Sequence, residues 1–116
     1  LFVEDENMVR EMAVEYLQNL GYKILPAENG EMAIKIANEY NGKIHLLLTD
    51  VIMPGMNGRQ LANRLSLIYP DIKTIYTSGY TQDIISYHGI TKEGSDFIGK
   101  PYKLQDLAKK IREILR

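Results

Sequence analysis

Short apolar runs alternate with amphipathic helical stretches about five times along this chain, an order that few architectures accept. The run His45-Leu46-Leu47-Leu48-Thr49 lacks polar alternation, as a strand covered on both faces should. Before it, Met8, Met12, Ala13, Tyr16, Leu17 and Leu20 recur at spacings of three and four, predicting a helix near 7–20 that Gly21 ends. Lys23 to Ala27 reads as a strand. Asn29-Gly30 turns into a helix near 31–40 carried by Met32, Ala33, Ile36, Ala37 and Tyr40, which Asn41-Gly42 stops. Asn57-Gly58 opens a third helix bearing Leu61, Leu65 and Ile68, closed before Pro70. The β-branched stretch Ile72 to Thr77 is a fourth strand, and Phe97-Ile98 a short last one. Between them, Ile84, Ile85 and Tyr87 suggest a short helix within 81–94. A final helix near 103–115 places Leu104, Leu107, Ala108, Ile111 and Leu115 on one face. Connections this short favour right-handed crossovers, hence a parallel sheet with helices on both faces.

The 116 residues make one domain with room for one core. A net charge of -1 argues against direct nucleic-acid binding, which needs clustered lysine and arginine. No apolar run of about 18 residues is present to insert into a membrane. The absence of cysteine excludes disulfides and thiolate metal sites and fits a reducing compartment. Only Leu1-Phe2-Val3 precedes Glu4-Asp5, so the expectation is a domain, 1–116, cut from a longer chain.

Open α/β sheets place their chemistry at the carboxyl ends of the strands. Asp50 stands there, followed by Val51-Ile52-Met53-Pro54-Gly55. Glu4-Asp5 closes the first apolar run and Lys100-Pro101 the last. If these strands are neighbours, three carboxylates meet one ammonium. Crowded carboxylates repel, and a divalent cation removes that cost. Magnesium suits an oxygen set of one or two carboxylates and retained waters. Each motif has a plainer use: Asp5 or Asn7 can cap the following helix, Lys100-Pro101 can be a surface turn, and Ser78-Gly79 can be turn chemistry. Their convergence favours phosphoryl chemistry, in which an aspartate can be the covalent acceptor and the protein supplies position and charge. Ser78 would donate to a phosphoryl oxygen, with Gly79 leaving room for the donor. His45 and His88 lack metal-ligand spacing, and the five methionines read as packing.

VEDE at the start, TDVIMPGMNG in the middle, TSGY after the fourth strand and GKPY before the last helix together resemble the receiver domain of two-component response regulators. The stretch from TSGY to GKPY looks most like receivers attached to hybrid sensor histidine kinases. The resemblance implies a flavodoxin-like α/β/α sandwich: a five-stranded parallel sheet of order 2-1-3-4-5 with five helices. It implies that Asp50 is the phosphoacceptor and that Glu4, Asp5, Asp50 and the Ile52 backbone carbonyl hold Mg2+, with Asp5 a direct ligand and Glu4 acting through water. By the same resemblance Lys100 contacts the phosphoryl group, while Ser78 and Phe97 form the switch. The partner it implies is a histidine kinase or histidine phosphotransfer domain, in the cytoplasm, whether or not the parent chain is membrane-anchored.

The departures matter. Glu4 replaces the commoner aspartate, Phe97 lacks the hydroxyl of the usual tyrosine, and apolar Ile52 sits where polar residues help place a hydrolytic water. A longer-lived phosphoryl state is the expectation. The domain would catalyse only its own phosphorylation and dephosphorylation, although the parent chain could be a kinase. A metal-dependent phosphatase usually wants a second acid two residues after the nucleophile, where this chain has Ile52. No GxxxxGK[ST] loop suggests nucleotide binding. The remaining alternative is a receiver-like interaction module that is not phosphorylated.

Overall fold

The computed structural model describes residues 1–78 and 95–115. Within them five strands form one parallel sheet: β1 (Phe2–Val3), β2 (Pro26–Ala27), β3 (Leu46–Asp50), β4 (Lys73–Ser78) and β5 (Ser95–Gly99). Their order is β2-β1-β3-β4-β5, which agrees with the expected flavodoxin-like order. Four helices are described: α1 (Asn7–Asn19), α2 (Gly30–Glu39), α3 (Gly58–Ile68) and α4 (Leu104–Leu115). The helix expected within 81–94, together with Gly79 and His88, lies outside the described residues.

Local chemistry sets the boundaries. Asn29 Oδ1 accepts from the Met32 backbone N–H at 2.8 Å and so caps α2. Asn57 and Gln60 exchange reciprocal side-chain to backbone bonds of 2.8 and 3.0 Å, a capping box that fixes the first turn of α3. Gly21, at φ +97°, takes the left-handed conformation that ends the first helical segment. The plainer use of Asp5 or Asn7 as a cap on α1 is not taken up. Glu6 occupies the cap position without a side-chain bond, and its backbone N–H donates instead to Glu4 Oε2 at 3.1 Å.

Strand alternation divides the core in two. Val3, Leu47, Val51 and Tyr76 pack with Ala33, Ala37, Leu61 and Leu65 on the α2/α3 side. Phe2, Leu46, Leu48 and Ile75 pack with Ala13, Leu17, Leu107 and Ile111 on the α1/α4 side. Two sequence expectations need correction. The strand drawn over Lys23–Ala27 shrinks to Pro26–Ala27, because β1 is itself only two residues long and offers no further ladder. Met8 and Met12 do not pack; they are 76% and 58% exposed, and Leu20 and Met32 are also exposed. Leu17 faces the sheet, and Met8, nine residues earlier, lies roughly two and a half turns away and so on the opposite side.

Candidate functional site

Side chains alternate along a strand, so the last residues of the parallel strands carry their neighbours' facing outward to the carboxyl edge. Phe2, Leu48, Ile75 and Ile98 all belong to the α1/α4 side. Two residues beyond each come Glu4, Asp50, Thr77 and Lys100. One face of the sheet therefore delivers two carboxylates, a hydroxyl and an ammonium to a single corner.

They meet there. Lys100 Nζ lies 2.6 Å from Glu4 Oε1 and 2.8 Å from Asp50 Oδ1, bridging residues from opposite ends of the chain. Thr77 donates its hydroxyl to the same Asp50 Oδ1. Glu4 is 1% and Asp50 7% exposed, while the Lys100 side chain keeps 23% of its surface open. The backbone is held equally firmly: Val51 N–H donates to Thr77 O at 2.9 Å, Gly58 N–H to Val51 O at 2.8 Å, and Lys100 N–H to Ser78 O at 2.8 Å. The Lys100–Pro101 peptide is cis.

Burial pushes the Glu4 carboxyl above its ordinary value, and the Asp50 charge adds to this, against the lowering bonds from Lys100 and the Glu6 N–H. Burial pulls the Lys100 ammonium down, but its hydrogen bonds to Asp50 and Glu4 and their charges outweigh that, leaving it above its usual value. Tyr102, two residues further along the chain, is pushed up to about 12, by burial first and then by the Glu4 charge. Its buried hydroxyl has no hydrogen-bond partner among the described residues.

Glu4, Asp5 and Asp50 each offer a carboxylate oxygen, and these lie within 4.8 Å of one another. Glu4 and Asp50 are buried and Asp5 is exposed, so the group opens to solvent on one side. A hard, all-oxygen donor set of this kind fits a divalent cation with open positions for water. Ile52 is 57% exposed beside Asp50. Phe97 packs against Tyr76 with ring centroids 6.0 Å apart and planes tilted by 37°, on the opposite side of the sheet from Asp50. Ser78, at the end of β4, is buried.

A family model for the response regulator receiver domain matches residues 1–112. The chain belongs to that family. It is a receiver, the phosphoacceptor signalling module of two-component systems. Over 115 residues it is 37% identical to Sensor kinase CckA of Brucella abortus (strain 2308), covering 99% of this chain but 12% of that protein. It is 32% identical over 115 residues to the response regulator receiver protein CpdR of the same strain, covering 99% of this chain and 94% of CpdR. The crystal structure of the receiver domain from hybrid histidine kinase CckA matches with a TM-score of 0.85 at 36% identity, covering 99% of this receiver and 96% of that chain.

The corner thus unites Asp50, Glu4, Asp5 and Lys100, all four singled out from the sequence. Thr77 was missed. Only the β3–β4 register identifies it, because Thr77 lies opposite Asp50 while Ser78 falls on the Tyr76 side. Gly58 was read only as a turn, yet a Cβ there would lie 2.1 Å from the Asp50 carbonyl oxygen.

Proposed function

We propose that Asp50 takes a phosphoryl group from a phosphohistidine on a histidine kinase or phosphotransfer partner, with Mg2+ as the cation, and that the receiver then switches conformation. The observation that carries this is the Lys100 ammonium, held between buried Glu4 and Asp50 where three parallel strands end. Asp50 supplies the nucleophilic oxygen. Lys100, fixed and charged, is placed to neutralise phosphoryl oxygens as the group arrives, so position and charge do the catalysis. Glu4, Asp5, Asp50 and the Ile52 carbonyl would hold the cation, which supplies further charge neutralisation when bound. Ser78 and Phe97 are the moving parts of a two-state equilibrium that phosphorylation biases. The sequence match to CckA supports a receiver that works as one segment of a longer cytoplasmic or membrane-anchored chain.

The test is intact mass after incubation with acetyl phosphate and Mg2+, beside Asp50→Asn. The expected result is a gain of one phosphoryl group that needs Mg2+ and disappears in the variant. No gain in the wild-type chain would favour an unphosphorylated interaction module.

A further inference from the structure

We propose that Thr77 is a positioning residue that sets the lifetime of the phosphorylated state by donating its hydroxyl to Asp50 Oδ1. This rests on Asp50 being the phosphoacceptor. Three observations support it. The β3–β4 register places Thr77 directly opposite Asp50. The Thr77 backbone carbonyl accepts from Val51 N–H at 2.9 Å, so the residue is tied to the backbone immediately after the carboxylate it serves. Thr77 is 3% exposed, so water cannot readily replace its hydroxyl.

Thr77 and Lys100 both reach Oδ1. That leaves Oδ2 as the less encumbered nucleophile. In the transfer, Oδ2 bonds to phosphorus while the donor's bond to phosphorus breaks, and the leaving group keeps the electron pair. In hydrolysis, a water oxygen bonds to phosphorus, its proton passes to solvent, and the Oδ2–phosphorus bond breaks with its pair returning to the carboxylate. Oδ1 is therefore the carbonyl oxygen of the acyl phosphate and regains anionic charge as hydrolysis proceeds. A hydroxyl donates more strongly to a carboxylate oxygen than to a neutral carbonyl. Thr77 thus favours the free carboxylate, and the transition state leading to it, over the acyl phosphate. Tight constraint at Oδ1 shortens the signal, opposing the lengthening expected from apolar Ile52.

The experiment follows decay of the phosphorylated mass after acetyl phosphate is removed, in wild type, Thr77→Val and Thr77→Ser, with urea midpoints for each. Thr77→Val, which keeps the shape and loses the hydroxyl, should lengthen the half-life roughly fivefold, the difference between a charged and a neutral hydrogen bond. Thr77→Ser should decay like wild type. An unchanged or shortened half-life in Thr77→Val overturns the proposal. So does a Thr77→Ser variant that decays like Thr77→Val, since the lost methyl would then be the cause. Should Thr77→Val fail to fold, Thr77→Ala carries the same expectation. A wild-type chain that takes no phosphoryl group, or an Asp50→Asn chain that does, would instead overturn the phosphoacceptor assignment itself.

Discussion

Gly58 opens α3 directly beneath Asp50, and replacing it with alanine tests whether that close approach positions the carboxylate. The added Cβ would meet the Asp50 carbonyl oxygen at 2.1 Å, its carbon at 3.0 Å and Thr49 Cγ2 at 3.2 Å. Real Cβ atoms essentially never come under 3.0 Å, so helix and strand must part by about 0.9 Å. Neither yields easily. β3 is laddered between β1 and β4, and the Asn57–Gln60 capping box fixes the first turn of α3. Overpacking against backbone belongs at the upper end of about 1–3 kcal/mol. Alanine's helix preference over glycine returns up to ~1 kcal/mol, leaving a net loss of about 2 kcal/mol. That corresponds to a melting temperature lower by roughly 8 °C. Urea denaturation followed by far-ultraviolet circular dichroism measures it. Gly99→Ala is the control, because no atom of another described residue beyond its chain neighbours lies within 4 Å of its Cβ, and it should stay within about 0.5 kcal/mol of wild type. The displacement should also cut Mg2+-dependent phosphorylation by acetyl phosphate, since Asp50 would shift relative to Lys100. A Gly58→Ala chain with wild-type midpoint and full phosphorylation would refute the reasoning.

Two other outcomes are expected. Lys100→Ala leaves Glu4 and Asp50 facing one another without their ammonium, and should cost about 2 kcal/mol, less than a fully buried pair because Lys100 is 23% exposed. Added MgCl2 should recover much of that loss in urea denaturation, and a midpoint indifferent to MgCl2 would count against the cation site. Cation affinity should also fall on acidification: Glu4 prefers its proton more than an ordinary glutamate, so protonation competes from above 4.5 downward. Stability without cation follows the opposite sense, being favoured by Glu4 below 4.5 and losing that contribution as pH rises through its raised pKa. Titrating Mn2+ by its paramagnetic effect between pH 4 and 8 checks the first trend; affinity constant across that window would exclude Glu4 as a participant.

Much of the corner was legible because strand ends announce themselves. Asp50 precedes a proline–glycine loop, Glu4-Asp5 ends an apolar run, and Lys100 precedes Pro101. The starts of α2 and α3 were equally plain, since Asn29 and Asn57 cap in the way their side chains favour. Thr77 was not legible without knowing which face its strand turns to Asp50; one residue of strand phase decides between Thr77 and Ser78. The α1 methionines misled for a related reason. Spacings of three and four link Met8 and Met12 to Tyr16 as readily as Ala13 to Leu17, and only the sheet beneath selects the second stripe. Tyr102 carries no sequence signal for its orphan hydroxyl, which arises from packing beside Glu4 and Lys100.

Glu4 and Lys100 are 96 positions apart, and Asp50 lies between them. Contacts of such long range form late and slowly compared with local ones. A growing polypeptide therefore carries Asp50 long before it carries Lys100, the lysine that completes the corner. Until the last strand has left the ribosome and docked, the corner lacks its ammonium, and the chemistry proposed for Asp50 has to wait.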